Sequence, residues 1–122
     1  MATVLVIEDD PVILQNTLEL LDLEGYTVIG AADGAEGIKR AQEAIPDLIV
    51  CDVLMPKVDG HGVLSHVRTN PATTHIPLVF VSALPREDMP LTSVQLGISD
   101  YLTKPFRAAD LLRVIRGLLA ST

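Results

Sequence analysis

Four groups in this chain could do chemistry together: the acidic run Glu8-Asp9-Asp10, then Asp52, Ser82 and Lys104. Each follows a short apolar stretch. Thr-Val-Leu-Val-Ile (3–7) runs into the three acids, Leu48 to Cys51 into Asp52, Ile76 to Val81 into Ser82, and Asp100 to Thr103 into Lys104. Carboxylates gathered in one place repel one another unless a cation joins them. With only oxygen ligands on offer, Mg²⁺ is the natural cation, since it keeps several waters and accepts a phosphate oxygen. No Cys or His pair at zinc spacing competes with it. A carboxylate beside Mg²⁺ and a lysine can act as a nucleophile toward phosphorus, giving an acyl phosphate. Lys104 would then offset charge on the phosphoryl oxygens while the Ser82 hydroxyl donates to one of them. Singly, each group has a plainer role: Asp52 as a turn cap, Lys104 as a solvated lysine, Ser82 as a strand-end turn residue. Their recurrence at four strand ends favours a shared site.

The elements that must position these groups alternate. Strands are expected at Thr3–Ile7, Thr27–Ala31, Leu48–Asp52, Ile76–Val81 and Asp100–Thr103, and the third reads as a continuous apolar run, as strands buried on both faces do. Helices are expected from Pro11 to the closing Gly25, over Ala35–Ala44, over Gly62–Arg68, over Asp88–Leu96 and over Ala108–Leu119. Asp10 suits the first N-cap better than a third metal ligand. Pro90 is tolerable only in a first turn, so the fourth helix must start late or run short. Strands and helices alternating at this spacing predict an α/β domain with a parallel sheet, helices on both faces and right-handed crossovers. The carboxyl ends of the strands then share one edge, where open sheets of this kind place their ligands.

Bulk properties narrow the classes. At 122 residues there is room for one domain. A net charge of −7 argues against a nucleic-acid surface, which needs a basic patch. A single cysteine, Cys51, makes no internal disulfide, so a reducing compartment is expected, and in a buried strand that thiol should be inert. No leader and no apolar run of membrane-spanning length is present, which makes a cytoplasmic location the expectation. His61, His66 and His75 lie on or beside the third helix and read as a solvated face.

The stretches Val-Leu-Val-Ile-Glu-Asp-Asp-Pro, Pro-Asp-Leu-Ile-Val-Cys-Asp-Val-Leu-Met-Pro-Lys-Val-Asp-Gly, Val-Phe-Val-Ser-Ala and Asp-Tyr-Leu-Thr-Lys-Pro-Phe together carry a resemblance. Across essentially its whole length the chain resembles the receiver domain of bacterial two-component response regulators, the CheY-like fold. The resemblance implies a doubly wound (βα)5, flavodoxin-like architecture with strand order 2-1-3-4-5. It implies one receiver domain over residues 1–122, either standalone or excised from a longer multidomain regulator. Asp52 would accept a phosphoryl group from a histidine kinase or phosphotransfer protein. Glu8 and Asp9, with Asp52 and the backbone carbonyl of Leu54, would hold Mg²⁺, for which Mn²⁺ could substitute. Ser82 and Tyr101 would form the switch pair, Tyr101 turning inward on phosphorylation and reshaping the face of the fourth helix, fifth strand and fifth helix. That face would control an output domain or effector, and homodimers of similar proteins use it. The Lys104-Pro105 bond is usually cis in similar proteins.

By this resemblance the protein is a switch, not an enzyme, catalysing only its own phosphorylation and a slow loss of phosphate. Leu54 and Leu84 stand two positions beyond Asp52 and Ser82, bordering the path of the hydrolytic water, and two leucines would hinder that water. The rival readings fare worse. A phosphatase of the haloacid-dehalogenase type places its nucleophile after the first strand as Asp-x-Asp, and a flavin carrier wants a glycine- and hydroxyl-rich loop with flanking aromatics. A degenerate receiver that binds partners without phosphate would not need every site group retained.

Overall fold

The computed structural model describes residues 1–120. The elements are β1 (Thr3–Ile7), α1 (Pro11–Leu23), β2 (Thr27–Ala31), α2 (Gly34–Ala44), β3 (Leu48–Asp52), α3 (Gly60–Thr69), β4 (Leu78–Ser82), a 3₁₀ turn (Arg86–Asp88), α4 (Leu91–Gln95), β5 (Asp100–Thr103) and α5 (Ala108–Ala120). The last two residues of the expected domain, 121 and 122, lie outside the described part. No helix among the described residues is long and apolar enough to cross a membrane.

Five parallel strands pair in the order β2-β1-β3-β4-β5. Every residue of β3 and β4 is buried, which is why those segments read as unbroken apolar runs. Successive side chains point to opposite faces. Leu5, Ile7, Ile49, Cys51, Leu78 and Phe80 join one core with the buried face of α3, while Val4, Val6, Leu48, Val50, Val79 and Val81 join a second core with α1 and α5. Each fully buried side chain of this size contributes about 2 kcal/mol relative to exposure. The register sets Ile7 beside Cys51, Asp52 beside Val81 and Ser82 beside Thr103, so the carboxyl ends are level.

Helix starts follow local capping. The Asp10 carboxylate accepts from the Val12 and Ile13 N–H groups, with Pro11 at the first helical position. Asp33 accepts from Glu36 N–H, and the Glu36 carboxylate accepts from Ala32 N–H. Asp59 accepts from Gly62 N–H, so α3 begins at Gly60, two residues before the expected start. Similarly α2 begins at Gly34 instead of Ala35.

Two expectations need correction at prolines. β4 begins at Leu78, not Ile76, because Pro77 has no N–H for the ladder and Ile76 closes a turn on the Thr73 carbonyl. The helix expected over Asp88–Leu96 is split into the 3₁₀ turn and a five-residue α4. Met89 precedes Pro90 and is extended (φ −67°, ψ 128°), as a residue before proline must be, and this breaks the helix.

Arg68 was not anticipated. Its guanidinium donates to the carbonyls of Thr74, Ile76 and Gly97, tying the end of α3 to the loops before β4 and β5. Desolvation at this half-buried position lowers its pKa.

Ile45, just past α2, sits in the left-handed region at φ 43°. A β-branched side chain is unfavourable there, whereas Asn is tolerated. Since Ile45 is also exposed, Ile45→Asn should stabilise the chain by about 1 kcal/mol. A urea midpoint unchanged or lowered in the variant would contradict this.

Candidate functional site

The level strand ends bring together four of the groups expected at the site. One carboxylate oxygen from each of Glu8, Asp9 and Asp52 lies within 4.8 Å of the others. Glu8 and Asp52 are buried and Asp9 is exposed. Lys104 reaches this cluster from the end of β5, its Nζ 2.6 Å from Glu8 Oε1 and 3.4 Å from Asp52 Oδ2. The Lys104-Pro105 peptide is cis. Asp10 stays out of the cluster as the α1 cap, while its N–H donates to the second Glu8 oxygen.

Electrostatics follow from this crowding. Burial pulls the Lys104 ammonium down, but the hydrogen bond to Glu8, the charges of Asp52 and Glu8, and the hydrogen bond to Asp52 outweigh it and raise its pKa. Asp9 is raised by desolvation and by the hydrogen bond and charge of Glu8, against smaller lowering effects from its own backbone N–H and Lys104. One ammonium among three carboxylates leaves the cluster short of positive charge. The donor set is all oxygen and its spacing is compact, so the residues fit a hard divalent cation such as Mg²⁺.

The loop after Asp52 folds back tightly over the strand end. Gly60 N–H donates to the Val53 carbonyl, and a Cβ on Gly60 would stand 2.6 Å from the Asp52 carbonyl oxygen and 2.7 Å from Val53 Cα. No side chain fits there. Leu54, in the same loop, is 54% exposed.

Ser82 and Tyr101 are placed differently from the four clustered groups. The Ser82 hydroxyl is fully buried and accepts from Leu84 N–H, turned toward its own loop. Tyr101 is 4% exposed, and its hydroxyl donates to the Leu84 carbonyl at 2.6 Å. The two residues therefore hold opposite ends of the Leu84 backbone, with the Tyr101 ring turned inward. Arg86, missed in the sequence, donates to the Tyr101 carbonyl and to the Asp100 carboxylate, tying the loop after β4 to the outer edge of β5. Cys51 is buried, and burial with the neighbouring carboxylate of Asp52 pushes its thiol well up. His61 departs from the expected solvated face, its imidazole being half-buried against Phe80 and Ser93.

Comparison with known proteins agrees with this geometry. The profile of the response regulator receiver domain matches residues 4–116. The chain is 38% identical over its full length to the DNA-binding dual master transcriptional regulator RpaA of Synechocystis sp., of which it covers 51%. It thus spans about half the length of this and other transcriptional regulators that it matches. Among solved structures, chemotaxis protein CheY4 of Vibrio cholerae superposes with a TM-score of 0.91 at 30% identity, covering 97% of this chain and 98% of that one. The receiver domain of a sensor histidine kinase from Pseudomonas aeruginosa, solved with a magnesium ion coordinated in its active site cleft, superposes with a TM-score of 0.89 at 28% identity, covering 98% of each chain.

Proposed function

From the premise that this chain belongs to the response regulator receiver family, we propose that it is a phosphorylatable switch with Asp52 as the acceptor. The observation that carries this reading is the meeting of Glu8, Asp9 and Asp52 with Lys104 bridging two of them. In the proposed reaction an Asp52 carboxylate oxygen attacks the phosphorus of a phosphohistidine on a kinase or phosphotransfer protein. The new O–P bond makes an acyl phosphate as the P–N bond breaks, and the leaving imidazole keeps the electron pair and takes a proton from solvent. Lys104 exchanges its contact with Asp52 for the phosphoryl oxygens. Glu8, Asp9, Asp52 and the Leu54 carbonyl would hold Mg²⁺ or Mn²⁺, which supplies charge neutralisation as the anionic donor approaches.

In this reading the Ser82 hydroxyl leaves Leu84 N–H to donate to a phosphoryl oxygen. Tyr101 keeps its bond to the Leu84 carbonyl, so the movement passes to the loop ahead of α4. A change of population requires that the phosphoryl group favour one loop position over another. The α4, β5 and α5 face would then act on an output domain, an effector or a second copy of the chain. The charge of −7 argues against a nucleic-acid surface on this domain.

Intact mass after incubation with acetyl phosphate tests the proposal. A Mg²⁺-dependent gain of one phosphoryl group is expected. Absence of any gain would leave a domain that acts by binding alone.

The side chains of exposed Leu54 and half-buried Leu84 offer no group to orient water. The phosphorylated form should therefore persist for minutes or longer, and Leu54→Gln should shorten its life. Release within seconds in the wild type would refute the prediction.

A further inference from the structure

The contact between α3 and α4 holds a polar pair that the acidic site does not use. Along the inward face of the α4 region, Met89 and Leu96 pack half-buried against the core, and Ser93 between them is 1% exposed. Leu91 and Val94 point outward, 70% and 55% exposed. The inward stripe is thus apolar except at Ser93. Its Oγ lies 2.7 Å from Nδ1 of His61 in the first turn of α3, the imidazole tautomer setting which group donates. The same imidazole stands edge-on to Phe80 of β4, ring centroids 5.3 Å apart and planes at 84°.

Apart from the His61–Ser93 bond, the polar ties of the α4 region lie beyond the helix itself, where Ser99 pairs with Leu78. The helix is five residues long, Pro90 supplies no side-chain cap, and Arg68 holds only the carbonyl of Gly97 beyond its end. Apolar contacts are non-directional, so a helix this short could slide or turn on them at small cost. A buried polar pair is satisfied in one arrangement only, and leaving either member unpaired is costly. A single polar position specifies register between helices in the same way in coiled coils. We propose that the His61–Ser93 hydrogen bond is a registry tie, with His61 as the positioning residue that sets α4 on α3 and so fixes where Leu91 and Val94 are presented.

This inference does not require phosphoryl transfer, and its test uses no phosphodonor. In ¹⁵N-labelled protein, His61→Leu and Ser93→Ala each strand one polar partner. Amide exchange over Ser93 to Leu96 should accelerate by about tenfold in either variant, with β1 unchanged. The double variant His61→Leu/Ser93→Ala removes both polar groups, so its urea midpoint should return to the wild-type value. Its α4 resonances should nevertheless be broadened or doubled, because stability is regained without register. His61→Asn, which can present an amide group near the Nδ1 position, should restore a single sharp set. In the unsubstituted protein the His61 Nδ1 resonance should differ from those of His66 and His75, and the difference should shrink in Ser93→Ala, where only the Phe80 contact remains. Sharp, slowly exchanging α4 resonances in the double variant would overturn the proposal, since apolar packing would then suffice. So would a wild-type His61 spectrum indistinguishable from the other two histidines.

Discussion

Asp52→Asn is expected to take up no phosphoryl group from acetyl phosphate at any Mg²⁺ concentration that allows the wild type to be labelled. The amide oxygen is neutral and a poor nucleophile, and one of the metal-side charges goes with it. The loss should be complete because the neighbouring acids are poorly placed to substitute. Both Glu8 oxygens are engaged, one by Lys104 and one by Asp10 N–H, and Asp9 is exposed at the rim. Folding should survive. Three carboxylates face one ammonium in the metal-free chain, so removing one charge relieves repulsion. The urea midpoint without Mg²⁺ should match or exceed that of the wild type, which makes lost labelling a statement about chemistry. Residual label mapped to Glu8 or Asp9 would move the acceptor elsewhere.

Lys104→Met should have the largest effect on stability. The lysine side chain is 19% exposed, and its partners Glu8 and Asp52 are 6% and 8% exposed. Removing the shared ammonium strands both carboxylates, and breaking a buried pair in this way costs about 3 kcal/mol. The pH dependence has a definite sign. The folded pKa of Lys104 is raised, so its contribution is complete below the unfolded lysine value of 10.5 and is lost only as pH rises through the higher folded value. The difference between wild type and variant should therefore be flat between about pH 7 and pH 9 and shrink in strong base. Mg²⁺ should narrow the gap in neutral solution, since the variant's uncompensated carboxylates attract the cation more strongly and native-state stabilisation grows with affinity. A variant as stable as the wild type without metal would show that the carboxylates do not depend on Lys104.

Much of this could be read in the residues, and the rest failed for identifiable reasons. β1 and β3 were legible because strands covered on both faces leave contiguous Val, Leu and Ile, and the chemical groups stand directly at their ends. The acidic cluster followed, since parallel strands level their carboxyl ends. The region after β4 was harder. Pro85 and Pro90 signalled a short helix, but the extended Met89 and the separate 3₁₀ turn depend on backbone angles that composition does not display. His61 was misread because one polar residue beside Gly60 and Gly62 gives no periodicity, and its partner Ser93 lies 32 positions away. Arg68 and Arg86 bind backbone carbonyls, and carbonyls carry no residue signature.

Leu84 is held at both ends of its backbone, its N–H by Ser82 and its carbonyl by Tyr101. Those two bonds are available to almost any amino acid at this position, because every residue but proline supplies both groups. Neither bond involves the side chain. In the proposed switch, replacing it would change how long a message lasts while leaving intact the lever that delivers it. Duration and content could thus evolve separately at one position, with a receiver retuned for a brief stimulus or a lasting one by a single substitution.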